Sequence, residues 1–244
     1  MTTYIHLTRP PLREAAIHIQ LAEELPATFV NRMKDILLAG FEKNLPIKKG
    51  RFSFQLNADS PAQASVTSDE ADGYRYQSGD GARVVQLRRS AMTFSVLQGY
   101  TDWDDIRYSA SAVWNQYLSM AGPVVVDRVA VRYINVIGVP LGADFDDYLA
   151  AGPRIPSKLP QSLLNFFHRV VVPFSDAEAT AIVTQASEPP TQANAPVLLD
   201  LEINAQCKAQ GSSTEIWSRL EQLREIKNLV FFSSLTEKAL GLYR

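Results

Sequence analysis

The sequence predicts an α+β fold: two pseudo-repeated units of antiparallel strands, with long helices packed on one face of a curved sheet. Three observations lead there. Segments that alternate apolar and polar residues recur between turn-forming residues, the pattern of half-buried strands. Two long segments instead repeat their apolar residues at helical spacing. The order of strand, helix, strands and helix begins again after Gly122, a weak internal repeat that divides the chain into units 1–122 and 123–244 packed as one globular domain.

In the first unit, Ala15, Ile17, Ile19 and Leu21 alternate with Ala16, His18 and Gln20, so this strand buries one face; the stiff Pro10-Pro11 pair precedes it. Phe29, Met33, Ile36 and Leu37 recur at helical spacing between Pro26 and Gly40, which predicts a helix of about three to four turns. Four strands are expected next: one at Phe52, Phe54 and Leu56, one over 74–77, one over 83–89, and one at Met92, Phe94 and Val96. Gly79-Asp80-Gly81 reads as the hairpin turn between the second and third, since these residues tolerate positive φ. Thr101-Asp102-Trp103-Asp104 reads as a helix cap, and the helix behind it carries Ile106, Ala110, Val113, Tyr117 and Met120 as one stripe before Gly122-Pro123 ends it.

The second unit opens on a long strand through Val129, Val131, Tyr133, Asn135, Ile137 and Val139, followed by a short helix over 144–149 and a connection rich in proline at Pro153, Pro156 and Pro160. Strands are expected over 164–174, over 181–185, and at Leu199, Leu201 and Ile203. A long final helix starts at the capping-box pattern Ser212-Ser213-Thr214-Glu215, with Ile216, Leu220, Leu223 and Val230 as its stripe.

Composition closes off several classes. With 46 % hydrophobic and 20 % charged residues, the 244-residue chain is neither a disordered tail, a fibre nor a coiled coil. Its 24 basic and 26 acidic residues give a net charge of -2, with 13 basic and 13 acidic in the first unit and 11 and 13 in the second, so nothing draws the whole molecule to nucleic acid or anionic lipid. Cys207, the single cysteine, makes no internal disulfide. The N-terminus lacks a basic stretch followed by an apolar core, and no apolar run approaches the roughly 20 residues that span a bilayer, so the expectation is a cytoplasmic protein without membrane contact.

Catalytic signatures are missing as well. There is no phosphate-cradling Gly-rich run ending in Gly-Lys-Ser or Gly-Lys-Thr, no Gly-x-Ser-x-Gly elbow and no His-Glu-x-x-His among His6, His18 and His168. No catalytic residue, metal or cofactor is therefore expected, and the reading leans away from an enzyme. His168, on a strand face with Leu164, Phe166, Val170 and Val172, reads first as a core histidine and second as a base. Cys207 reads as a small buried or edge residue rather than a nucleophile. The clusters Asp102, Asp104, Asp105 and Asp144, Asp146, Asp147 suit helix starts better than a hard cation.

Arg132 and Asn135 are polar residues in an apolar strand and must find partners if buried. One reading pairs Arg132 with Asp127, Asp200 or Glu202; the other places Arg132, Asn135 and His168 in a ligand pocket between sheet and helices. Lys48, Lys49, Arg51, Arg83, Arg88 and Arg89 form a candidate basic strip, but neighbouring Asp69, Glu70, Asp72 and Asp80 offset it, so nucleic acid is not the expected partner.

Three segments carry a resemblance: Pro10-Pro11-Leu12-Arg13-Glu14-Ala15, Arg132-Tyr133-Ile134-Asn135 and Lys227-Asn228-Leu229-Val230-Phe231-Phe232. Through them nearly the whole chain resembles a sporadically distributed bacterial family that has no established activity and so brings no catalytic residues. The element order is similar to the TATA-box-binding-protein-like architecture, which implies two pseudo-symmetric units on one sheet. The patchy distribution implies a defence or toxin-antitoxin setting. The expected function is a non-enzymatic interaction protein with a protein partner or a second copy of itself; the alternative is a small-molecule-binding domain, or an enzyme built on one, with its pocket between sheet and helices.

Overall fold

A computed structural model of the chain describes residues 4–5, 7–34, 36, 38, 40–48, 52–55, 63–66, 71–161 and 163–244. The first part of the chain forms β1 (Leu12–Leu21), α1 (Phe29–Lys34), β2 (Phe41–Lys48), β3 (Phe52–Gln55), β4 (Gln63–Val66), β5 (Ala71–Ser78), β6 (Arg83–Arg88), β7 (Ala91–Val96) and α2 (Trp103–Ala121). The rest forms β8 (Val125–Ile137), β9 (Phe167–Phe174), β10 (Ala179–Ser187), β11 (Val197–Gln210), α3 (Glu215–Ser234) and α4 (Glu237–Gly241).

Nine strands make one antiparallel sheet in the order β2-β5-β6-β7-β1-β8-β11-β10-β9, and β3 and β4 pair separately. From the central β1–β8 pair outward, each side runs first to the last strand of its own stretch of chain and then back through the preceding ones. The alternation seen in sequence sets the layers. Ile17 and Ile19 of β1, Val129 and Val131 of β8, and Leu201 and Ile203 of β11 are buried beneath α2 and α3. The helices answer with Ile106, Ala110, Val113 and Tyr117 from α2 and Ile216, Leu220 and Leu223 from α3, each large apolar side chain stabilising the fold by about 1.5–3 kcal/mol. The opposite face of the sheet carries His18, Gln20, Thr93, Arg128, Arg132, Asp200 and Glu202.

A second core cluster joins Ile137, Val139, Leu199 and Leu201 to Tyr148, Leu149, Phe231, Leu235 and Leu240, under the end of α3 and α4. No helix among the described residues is long and apolar enough to cross a membrane.

Several elements differ from expectation, each for a local reason. The helix foreseen between Pro26 and Gly40 is only the six-residue α1; Ile36 bonds back to Met33, and the chain turns through Gly40 at φ 81° into a strand. Leu37 lies outside the described residues. That next strand, β2, was not legible because Pro46 and Lys48 break its apolar alternation, as suits the edge of a sheet. The Phe52 and Phe54 strand does not join the main sheet but pairs with β4; Leu56 lies outside the described residues. The helix over 144–149 is a single 3-10 turn, Phe145–Asp147. β11 extends far beyond Leu199–Ile203 because its alternation continues through Ala205, Cys207 and Ala209.

Candidate functional site

The chain before β1 closes over the junction of the two core clusters. Pro11 O accepts from Val136 N at 2.8 Å, Arg9 N donates to Tyr243 O at 3.1 Å, and Tyr4 stacks on Phe232 with centroids 4.8 Å apart. A bulge at the start of β1, between the pairs Leu12–Asn135 and Glu14–Ile134, changes which side chain faces the helices. Leu12 faces inward with Asn135, and Arg13 is freed to form a bidentate pair with Glu188 at 2.5 and 2.7 Å. After β7, Gly99 at φ 68° turns the chain so that Tyr100 meets Tyr133, hydroxyl to hydroxyl at 3.2 Å and edge to face at 5.9 Å.

These segments and α3 line a half-open cavity of about 390 Å³, within the range of small-ligand sites. Leu7, Leu12 and Phe231 give it apolar walls, and Tyr100, Tyr133, Asn135, Arg224, Lys227 and Asn228 give it polar ones. Asn135 is buried and spends its amide donor on Tyr133 O and Leu199 O, at 3.3 and 3.2 Å. Arg224 is neutralised by Glu221 at 2.7 Å and Glu225 at 2.9 Å. Glu221 also accepts from Trp103 Nε1, which ties α2 to α3 at the cavity wall.

Lys227 is different. Its Nζ lies 4.2 Å from the centre of the Tyr133 ring and donates to Asn228 Oδ1 at 2.5 Å, and among the described residues no carboxylate pairs with it. Burial, and secondarily the Arg224 charge, lower its pKa to about 8, so the side chain is still mostly a cation at neutral pH. Burial likewise raises the Tyr133 and Tyr100 hydroxyls, which therefore stay protonated donors.

The residues singled out in the sequence do not converge. Arg132 is on the open face of the sheet, where its guanidinium pairs with both Asp200 oxygens at 2.9 and 2.6 Å; the partner reading holds, with Asp200 as the partner. Asn135 points the other way and lines the cavity. His168 is exposed on the edge strand β9 and does not line the cavity, so it is neither a core histidine nor part of the site. Lys227, Arg224, Tyr100 and Tyr133 were not singled out as site residues. One signal was present: along the stripe Ile216, Leu220, Leu223 and Val230, the next inward position after Leu223 is Lys227.

The other candidates resolve into structure. Cys207 is buried, and burial raises its thiol pKa. Asp102 caps α2 by accepting from Asp105 N, and Asp144 accepts from Asp146 N, so these clusters serve helix starts. Among the described residues no three His, Cys, Asp or Glu side chains gather to hold a metal. In the basic strip, Arg83 pairs with Asp105, Arg88 with Asp72 and Arg89 with Glu24; His6, Lys49, Arg51, Asp69 and Glu70 lie outside the described residues. A larger groove of about 750 Å³ runs between α2 and α3, but its charged groups are satisfied internally, Arg107 by Asp104 and Glu221 and Glu225 by Arg224. No family model matches the chain, and no curated protein is similar to it.

Proposed function

We propose that the protein binds a small organic molecule in the cavity between the segment before β1, the end of β8 and α3. The observation that carries this reading is Lys227, a half-buried cation without a carboxylate partner among the described residues, facing an aromatic and amide-lined cavity. A partly desolvated charge left without a counter-charge costs stability, and a ligand that supplies the counter-charge offsets that cost. Three stretches far apart in the chain meet here: Pro10 and Leu12, Tyr133 and Asn135, and Lys227, Asn228, Phe231 and Phe232 all line this one cavity. We read the matching strand orders on either side of β1–β8 as a duplicated two-unit design, with the cavity on the second unit's helix. Native mass spectrometry of freshly isolated protein is expected to show a few hundred daltons of non-covalent mass, absent from a cavity-filling Leu12→Trp variant. Bare wild-type mass, together with a thermal midpoint unmoved by a small-molecule cell extract, would overturn the reading.

A second reading, the interaction protein foreseen from the sequence, is favoured by β9. This edge strand exposes Phe167, Val170, Val171 and Val172, and Leu164 just before it is fully exposed. An apolar edge of this kind is a template for another strand.

A further inference from the structure

The cavity's lining bears on what kind of molecule it takes. Among the described residues, two cations, Arg224 and Lys227, and one carboxylate, Asp102, line it. Arg224 is held between two glutamates, and Asp102 Oδ1 accepts from Asp105 N at the start of α2. That leaves Lys227 as the lining charge with no opposite charge in contact among the described residues; its ammonium has an amide oxygen and a ring face, which leave donor capacity open. A neutral or cationic guest would leave that ammonium as it is or oppose it. An anionic head would complete it with a charge-assisted hydrogen bond in a partly desolvated site, where such bonds are strongest. Beside this position Leu7 and Phe231 offer an apolar surface, and Tyr100 and Tyr133 offer hydroxyls that remain protonated.

Building on the ligand-binding reading, we propose that the molecule is an organic anion, its carboxylate or phosphate head held by Lys227 Nζ and its apolar body laid against Leu7 and Phe231. The charged and titratable groups around Lys227 are Arg224, Glu221 and Glu225 on α3, Tyr133 on β8, and Tyr100 and Asp102 before α2. Burial holds the Tyr133 and Tyr100 hydroxyls protonated well above neutrality, whereas it brings Lys227 down to about 8, so Lys227 changes charge as pH rises through that value. The anion binds the protonated amine, so its affinity is steady below the free-protein pKa of about 8 and falls roughly tenfold per unit above it.

The test is calorimetric titration with phenylacetate and phenyl phosphate, against the neutral phenylacetamide and the cationic phenethylamine. Binding of either anion is expected, at least tenfold tighter than the amide, with no binding of the amine; the better of the two anions identifies the head group. Lys227→Met is expected to lose the tenfold preference and the pH dependence while melting no lower than the wild type, since it removes a desolvated charge. Lys227→Arg is expected to keep part of the preference but lose the fall above pH 8. If the amide binds as well as the anions, the ligand cavity stands and the anion proposal falls. If no probe binds at millimolar concentration, the anion proposal falls, and the ligand-binding reading is decided by the native mass and the thermal midpoint. If Lys227→Met keeps the preference for anions, the head group is held elsewhere and the assignment to Lys227 is wrong.

Discussion

Arg132 and Asn135 sit three apart on β8 and differ in almost every physical respect. Arg132 is in an exposed bidentate pair, where solvent screening leaves about 0.2–1 kcal/mol, whereas Asn135 is buried and satisfies two backbone carbonyls. Arg132→Ala is therefore expected to lower urea stability by less than about 1 kcal/mol, and Asn135→Ala by about 1–3 kcal/mol; equal effects would refute the assignment of faces. The reading that placed both in one pocket overlooked their odd spacing, which reverses the face along a strand. What was not legible was Lys227, since a lysine at an inward helical position is indistinguishable in sequence from one whose stem snorkels to solvent. His18 offers a second test at this scale. It lies on the open face between Thr93 Oγ1 at 2.8 Å and Gln20 Oε1 at 3.4 Å, and burial lowers its pKa to about 4, with Arg128 and Arg88 adding repulsion. In the unfolded chain it titrates near 6.5, so between these values the unfolded state holds more protons. Stability is complete above about pH 6.5 and declines as pH falls toward 4. His18→Gln is expected to remove on the order of 2 kcal/mol of that decline, measured as the difference in unfolding free energy between pH 7 and pH 4.

Elements with strong periodicity were the ones read well. β1, α2, β8 and α3 follow directly from apolar spacing, and Asp102 caps α2 as expected from its place before the stripe. The cap of α3 shows where such reading stops: Thr214 makes no side-chain cap bond, and it is Ser213 Oγ that accepts from Glu215 N. Three consecutive hydroxyl residues leave the choice of cap to the geometry by which β11 delivers the chain. Of the two edge strands, β9 was expected over 164–174 and forms over Phe167–Phe174, whereas β2 was missed. β2 has one paired side and little cover, so the burial that writes alternation into a sequence is weak there. Inside the sheet, β5 depends on a residue that periodicity does not reveal. A Cβ on Gly73 would lie 1.9 Å from Leu87 O and 2.8 Å from Arg88 Cα, both backbone atoms of β6. Gly73→Ala must push β5 away from β6, and a loss of about 2–3 kcal/mol is expected in equilibrium unfolding. Wild-type stability in this variant would mean that β5 and β6 do not approach as described.

At the scale of the molecule, one sheet carries both halves through β1 and β8, and its two ends are guarded unequally. β2 ends the sheet with Pro46 and Lys48, both unfavourable to further pairing. β9 ends it with three consecutive valines and Arg169 as its one formal charge. Ser187 N donates to Phe166 O, so by alternation residues 168, 170 and 172 bond inward to β10, while Phe167, Arg169 and Val171 turn their backbone groups outward. Pro173 falls in the outward set, where its missing N–H costs the sheet nothing. An outward row of donors and acceptors beside exposed valines matches another strand, and a second copy of β9 running antiparallel would supply the same groups about a two-fold axis. Light scattering after size exclusion is expected to show a concentration-dependent dimer. Val171→Pro removes one outward donor and no inward bond, so it is expected to give a folded monomer with wild-type circular dichroism; Val171→Lys should do the same through charge. A wild type that stays monomeric at high concentration, or a dimer that survives both substitutions, would exclude self-pairing through this edge. A monomer that instead captures an added peptide of the sequence of β9 would show the edge competent but too weakly self-complementary for two whole chains.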